Sequence, residues 1–361
     1  MKKKVAIIGY GGMGSFHAMN ITGGSGAYMV RGELPPSDVV ELAGVYDIDP
    51  EACQRAKDRG LFVYDSLEAL LGDPQVEIVT IAIPNDGHKE MAVKAMAAGK
   101  NVICEKPVTL NSALLQEMFD ASKKYGKLFT VHQNRRWDND YRAIRQVYDS
   151  GVLGDVFNIE TRVHGSRGIP GDWRAQPEHG GGMVLDWGVH LLDQILWMFP
   201  EKITSLYCRL DHVTTELVDD GFKLEMKFEN GVNVHVEVGT SNFVNLPRWY
   251  MQGRNGTAII NSFKGDGEIV CCDNWDGKDA VPVVTAAGVT KTMAPRTKDT
   301  ITTHELPQPK MDVHDFYRNV CKAIDGEEEQ IVTHAQVMRV MKVMEAAFES
   351  DRTDSVIRFN G

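Results

Sequence analysis

Asp186, His190 and Asp193 recur at i, i+4 and i+7 in the stretch GGGMVLDWGVHLLDQILWMF, which three glycines, Gly180 to Gly182, open. On a helix that spacing gathers all three on one stripe. The other positions, among them Met183, Val184, Leu185, Trp187, Val189, Leu191, Leu192, Ile195 and Leu196, are almost all apolar, so the helix is expected to be buried nearly all round. A buried acid or imidazole has to be hydrogen-bonded or used in chemistry. Two readings stay open on this stretch alone. In one, Asp186 accepts from backbone amides beside the glycines, His190 is a satisfied core histidine and Asp193 meets a solvent edge. In the other, Asp186 and His190 are a catalytic pair, with an imidazole that titrates near neutrality.

A second chemical signature stands at the N-terminus. The apolar run Val5 to Ile8 closes on Gly9-x-Gly11-x-x-Gly14 and leads into a helix. Gly9 suits a tight turn, Gly11 the close approach of backbone to a pyrophosphate, and Gly14 the packing of helix on strand. With Gly12 and Met13, the loop presents the unpaired N–H groups of a helix N-terminus to an anion. A bound dinucleotide is expected. Asp47 ends the next strand, DVVELAGVYD, where a carboxylate accepts from a ribose 2′-OH and repels a 2′-phosphate, favouring NAD over NADP. The insertion TGGSGAYMVRGELPPSD stretches the spacing from Gly14 beyond the usual ~20 residues. The competing role for Asp47 is to begin the turn into a helix that Asp49 caps, with Pro50 in first position.

Two further strand ends carry reactive groups: AIPNDGH places Asn85 and His88 at one, CEKP places Glu105 and Lys106 at the next. The elements that must position them alternate. VEIVTIAI, a helix from Gly87 to Ala98, KNVICE, a helix from Asn111 to Tyr125, and KLFTVH predict a parallel sheet covered on both faces, with ligands at the carboxyl ends of its strands. Beyond it, GDVFNIETRVHGS, ITSLYCRLDHV, DGFKLEMKFE, GVNVHVEVGTS, RWYMQG and GTAIINSF read as strands, with turns at ENG and GRNG. A helix capped by Thr333 follows near the C-terminus.

Composition narrows the partners. The 361 residues are 43% hydrophobic and 25% charged with a formal net charge of -11, which argues against a nucleic-acid surface and for a small-molecule ligand. The first apolar run is far too short for a signal peptide, and no later one is long enough to span a bilayer, so a cytoplasmic protein without membrane partners is expected. Six cysteines show neither C-x-x-C nor zinc spacing and read as reduced thiols.

GYGGMG, IPNDGHKEMAVKAMAAGKNVICEKP and GGGMVLDWGVHLLD, in this order and spacing, resemble the Gfo/Idh/MocA family of NAD(P)-dependent oxidoreductases, sugar and inositol dehydrogenases among them. The resemblance implies an N-terminal α/β Rossmann domain, residues 1–131, followed by an α+β domain, residues 132–361, built on a large open antiparallel β-sheet, with the active site between them. It resolves the first question in favour of chemistry: Lys106, Asp186 and His190 match the family's catalytic residues, and Lys106-Pro107 would often be cis. The expected cofactor site is Gly9, Gly11, Gly12, Met13, Gly14, Asp47, Asn85, His88, Glu105 and Lys106. Lys106, Asp186 and His190 would also meet the substrate. From the crevice set Arg135, Arg136, Arg162, His164, Trp173, Arg174 and His179, we favour His164 and Trp173 as further substrate contacts. No metal is expected, the trio His164, Asp186 and His190 being the one considered. An apolar sheet face would be covered by a second subunit, giving a homo-oligomer. The expected reaction moves a hydride between nicotinamide and a secondary hydroxyl of a sugar, polyol or glycoside. The alternatives are a glycosidase that uses bound NAD for transient oxidation and a dinucleotide- or sugar-sensing regulator without turnover.

Overall fold

Near-continuous apolar runs form the first sheet because both of its faces are covered: Val5, Ala6, Ile7, Ile78, Val79, Val102 and Ile103 are wholly buried. The computed structural model describes residues 2–25, 33–272, 275, 283–288, 290–291, 295–310 and 312–359. Part of the insertion between the first two long strands, and Met311 before a C-terminal helix, lie outside them. Five parallel strands, β1 (Lys3–Ile8), β2 (Val40–Tyr46), β3 (Ile78–Ile81), β4 (Asn101–Cys104) and β5 (Phe129–Val131), take the order β2-β1-β3-β4-β5. The helices between them are α1 (Gly12–Thr22), α2 (Pro50–Asp58), α3 (Leu67–Gly72), α4 (His88–Ala97) and α5 (Ser112–Tyr125). Their starts follow side-chain chemistry. Asp49 accepts from the N–H groups of Glu51 and Ala52 with Pro50 opening α2, and Asn111 accepts from Leu114 N–H at 2.9 Å.

Past β5 the chain runs through α6 (Asn139–Ser150), β6 (Val156–His164) and α7 (Val189–Met198) into β7 (Ile203–Asp211), β8 (Gly221–Phe228), β9 (Asn233–Gly239), β10 (Trp249–Gly253), β11 (Gly256–Ile260), β12 (Gly267–Cys271) and β13 (Thr302–His304). It ends in α8 (Asp315–Asp325), α9 (His334–Thr353) and β14 (Ile357–Arg358). The second sheet has nine strands in the order β13-β12-β11-β10-β6-β9-β8-β7-β14. ENG and GRNG form the hairpin turns β8–β9 and β10–β11. The sheet is mostly antiparallel, as expected, with one parallel pair: β6 enters first and β9 closes beside it running the same way, Asn158 opposite Asn233. All other neighbours are antiparallel.

The faces of this sheet differ in chemistry. Ile159, Thr161, Phe222, Leu224, Val236 and Val238 are buried on one. Strand alternation leaves Glu160, Arg162, Glu225, His235 and Glu237 on the other. The outer face is therefore charged across its central strands, not apolar as the covering argument for a second subunit supposed.

α9 opens with a reciprocal cap, Thr333 to Gln336 N–H and Gln336 back to Thr333 N–H, and packs on α5, α7 and β7. α8 returns to the first half of the chain: Asp325 meets Lys3 at 2.7 Å and Arg318 meets Asp38 at 3.0 Å. All six cysteines are unbridged. Among the described residues no helix is long and apolar enough to cross a membrane.

Candidate active site

The helix that carries Asp186 and His190 starts at a place only glycine can occupy. Gly182 has φ +100°, and a Cβ there would lie 2.1 Å from Asp219 Oδ1. Asp219 can approach because that Cβ is missing. Its Oδ2 accepts from Val184 N–H at 2.7 Å and its backbone carbonyl from Met183 N–H at 3.0 Å, so two of the helix's first donors are satisfied from the loop before β8. Burial pushes the Asp219 carboxyl up to about 7 against the pull of those backbone donors.

Residues Val184–Gly188 then form a π turn before α7 begins. The wider turn changes what the i, i+4 spacing implied: Asp186 does not pair with His190. Asp186 Oδ1 accepts from Lys106 Nζ at 3.0 Å, its backbone carbonyl accepts from the same nitrogen at 2.9 Å, and Oδ2 accepts from Arg174 Nε at 2.9 Å. Burial would raise this carboxyl, but the charges of Lys106 and Arg174 outweigh it and hold it below the usual carboxylate range. His190 is buried with an unpartnered Nδ1. Burial, then the positive charges of Lys106 and Arg135, drive its pKa well below the ordinary imidazole value, so the ring is neutral. Trp187 stands edge-on to it, with the Arg135 guanidinium over the indole, 4.2 Å from a ring centre. Asp193 faces no solvent. It grips Arg136 through two bonds of 2.7 Å, both side chains buried.

Lys106 follows the end of β4, and its bond to Pro107 is cis. The residues expected beside it turn out to hold that loop. His88 is wholly buried, with Nδ1 3.1 Å from the Pro107 carbonyl and Nε2 2.9 Å from that of Ile83, tying the β3 and β4 ends together. Asn85 donates to the carbonyl of His179 at 3.0 Å, linking the first sheet to the glycine stretch. Glu105 points inward, its Oε1 accepting from His17 Nε2 at 2.8 Å and His132 Nδ1 at 2.7 Å. Among the described residues these three are the group with metal-ligand spacing, rather than His164, Asp186 and His190. Hydrogen-bond lengths account for them without an ion.

The glycine loop has the shape of an anion cradle. A Cβ on Gly14 would fall 1.9 Å from the Gly9 carbonyl, which is how closely α1 packs on the loop, while Gly11 and Gly12 border open space. α1 has no side-chain cap, so the first-turn N–H groups of Gly12, Met13 and Gly14 are free for a ligand. The Asp47 carboxylate is held over this loop, Oδ2 accepting from Tyr10 N–H at 2.5 Å and Oδ1 from Asp49 N–H at 2.8 Å. A dinucleotide pyrophosphate and ribose fit these donors and acceptors.

A family model described as an oxidoreductase family with an NAD-binding Rossmann fold matches residues 3–133, and the corresponding Gfo/Idh/MocA C-terminal domain matches residues 141–259. The chain belongs to the Gfo/Idh/MocA oxidoreductase family. A crystal structure of an NAD-binding protein from Listeria innocua superposes with a TM-score of 0.86 at 41% identity, over 99% of this chain and 97% of that one. Among curated relatives, a scyllo-inositol 2-dehydrogenase (NADP(+)) from Bacillus subtilis is 26% identical over 98% of this chain and 95% of its own length. An inositol 2-dehydrogenase from Salmonella typhimurium is 28% identical over 69% of this chain and 70% of its own.

In this Gfo/Idh/MocA oxidoreductase the crevice arginines divide by partner. Arg174, named in the crevice set but not favoured there, meets Asp186 directly, with Trp173 beside it at 4.5 Å from guanidinium to ring centre. Arg162 pairs with Glu237 at 3.2 Å on the outer sheet face, and His179 with Asp86 at 3.2 Å. His164 Nε2 lies 3.5 Å from Glu237 Oε1, and Nδ1 accepts from Leu246 N–H at 3.3 Å. Among the described residues no hydrogen bond or ion pair joins it to Lys106, Asp186 or His190. Its place at the end of β6 put it near the crevice in sequence, while strand alternation turned it toward Glu237. Asp219 and His17 were also missed. The only advance signal for Asp219 was the third glycine, which marks a close approach without naming the visitor.

Proposed function

We propose that this chain is a dehydrogenase acting on a CH–OH group, moving a hydride between nicotinamide and a secondary hydroxyl of a sugar, polyol or glycoside. One observation carries the reading: a buried, neutral imidazole with an unpartnered nitrogen, His190, lies in the field of a lysine that an aspartate holds in place. A bound NAD would supply the hydride acceptor. The chain supplies the rest. His190 takes the hydroxyl proton as the base. Lys106 carries three N–H donors. Asp186 engages Nζ through a carboxylate oxygen and its carbonyl, leaving donor capacity for the substrate oxygen, where it stabilises developing alkoxide charge. Asp186 fixes that lysine, and Arg174 shares the carboxylate. Trp173 is an apolar wall for the C–H face of a ring. The negative charge of Asp47 over the glycine loop favours NAD over NADP, although the Bacillus subtilis relative is named for NADP.

The test is growth of the reduced-nicotinamide absorbance band when the protein and excess NAD, or NADP, meet inositols, aldoses, sugar acids and intact glycosides in turn. Growth with one class, faster with NAD, is expected. A flat trace from protein that binds NAD, with aglycone released from a glycoside, would replace this reading by transient oxidation.

A depressed His190 pKa has a kinetic signature. The base stays deprotonated through the ordinary imidazole range, so kcat/KM for oxidation should hold level as pH falls through about 6.5 and drop only below it. Arg135→Met removes one of the charges that push this pKa down, and should move the falling limb to higher pH. A pH–rate profile unchanged by that substitution would take Arg135 out of the explanation.

A further inference from the structure

Glu105 is a buried carboxylate that the proposed chemistry does not use, yet it joins four distant parts of the chain. Its Oε1 takes His17 from α1 and His132 from just past β5, and its Oε2 accepts from the Lys106 N–H at 3.2 Å. His17 is wholly buried, and its Nδ1 meets the hydroxyl of Tyr317 on α8. An ionised Glu105 can only accept, so the Nε2 that faces it carries the hydrogen, and Nδ1 of a neutral His17 accepts from the Tyr317 hydroxyl. Burial works against ionising Glu105, but the His132 charge and the hydrogen bonds from both imidazoles prevail and hold the carboxyl well below its usual range. A carboxylate locked this way is a fixed point for the residue that follows it. Lys106 is that residue, and its own side chain reaches across to Asp186 on the other half of the molecule.

We propose that Glu105 is a positioning residue: its carboxylate fixes the backbone of Lys106 against α1 and the domain junction, so that Lys106 meets Asp186 only while those elements are seated. The clamp makes the placement of Lys106 depend on the helix whose N-terminus cradles the dinucleotide. This rests on the assignment of Lys106 to the chemistry.

A double-mutant cycle on the full-length protein tests it. Glu105→Gln puts an amide N–H where the carboxylate accepted, and should lower kcat by about 10²-fold through misplacement of Lys106. The KM for the hydroxyl substrate and the Kd for NAD should change little. In a Lys106→Ala background the same substitution should cost no more than about twofold, the margin within which independent effects are read. Equal fold losses in both backgrounds would overturn the proposal. Normal turnover in Lys106→Ala alone would instead overturn the role of Lys106, so the two failures are distinguishable. If Glu105→Gln does not fold, His17→Gln and His17→Leu decide. Glutamine can present an N–H to Glu105 as His17 Nε2 does and should retain kcat, whereas leucine should lose it with NAD affinity kept. Equal kcat in those two variants would sink the clamp.

Discussion

His190→Ala should lower turnover by about 10² to 10⁴-fold while NAD still binds, if His190 is the proposed base, because the truncation removes an imidazole whose Nδ1 has no partner among the described residues. Lys106→Ala should lose about 10²-fold or more, as loss of a single oxyanion donor does. The two losses should differ with pH. Removing Lys106 also removes a charge that keeps His190 neutral, so in Lys106→Ala the residual activity should fall at higher pH than in the native enzyme. Stopped-flow hydride transfer with NAD binding followed by fluorescence checks both. Near-native turnover in either variant refutes the role given to it.

Asp193→Ala is expected to destabilise the fold by about 3–5 kcal/mol, since it strands a wholly buried guanidinium without its partner. Arg136 spends its other donors on the Ile331 carbonyl and Gln336 Oε1, both at 2.9 Å, and stacks on Trp197 at 4.7 Å, so it has nowhere to turn. Replacing both partners together, Arg136→Met with Asp193→Leu, should recover most of the loss, because no charge is then left buried. Urea denaturation of the single and double variants measures this. A single variant as stable as the native protein would mean that water reaches Arg136.

The first sheet could be read from the sequence almost residue by residue, since buried parallel strands advertise themselves as apolar runs and two of their helices carry their own caps at Asp49 and Asn111. The second sheet was legible as strands but not as a pairing order. Whether β9 lies parallel to β6 depends on which strand enters the sheet first, and no local pattern encodes that. Within the site, residue types were informative and partners were not. Asp186 and His190 stand four apart, and regular helical geometry would have paired them, yet a π turn one residue wider delivered Asp186 to Lys106. His88 and Glu105 were placed at the correct strand ends. Their orientation, inward to Pro107 and to His17, is set by contacts from segments far away in sequence.

The bond between Tyr317 and His17 has a consequence for how the molecule comes into being. During synthesis the dinucleotide-binding half emerges first, and domains generally fold as they emerge. Here that half carries a buried histidine whose second nitrogen finds its partner on α8, near the end of the chain. Without α8, His17 Nδ1 would be left buried and unpartnered, so an exchange of the two halves at residue 131 would have to bring a hydroxyl to the place of Tyr317.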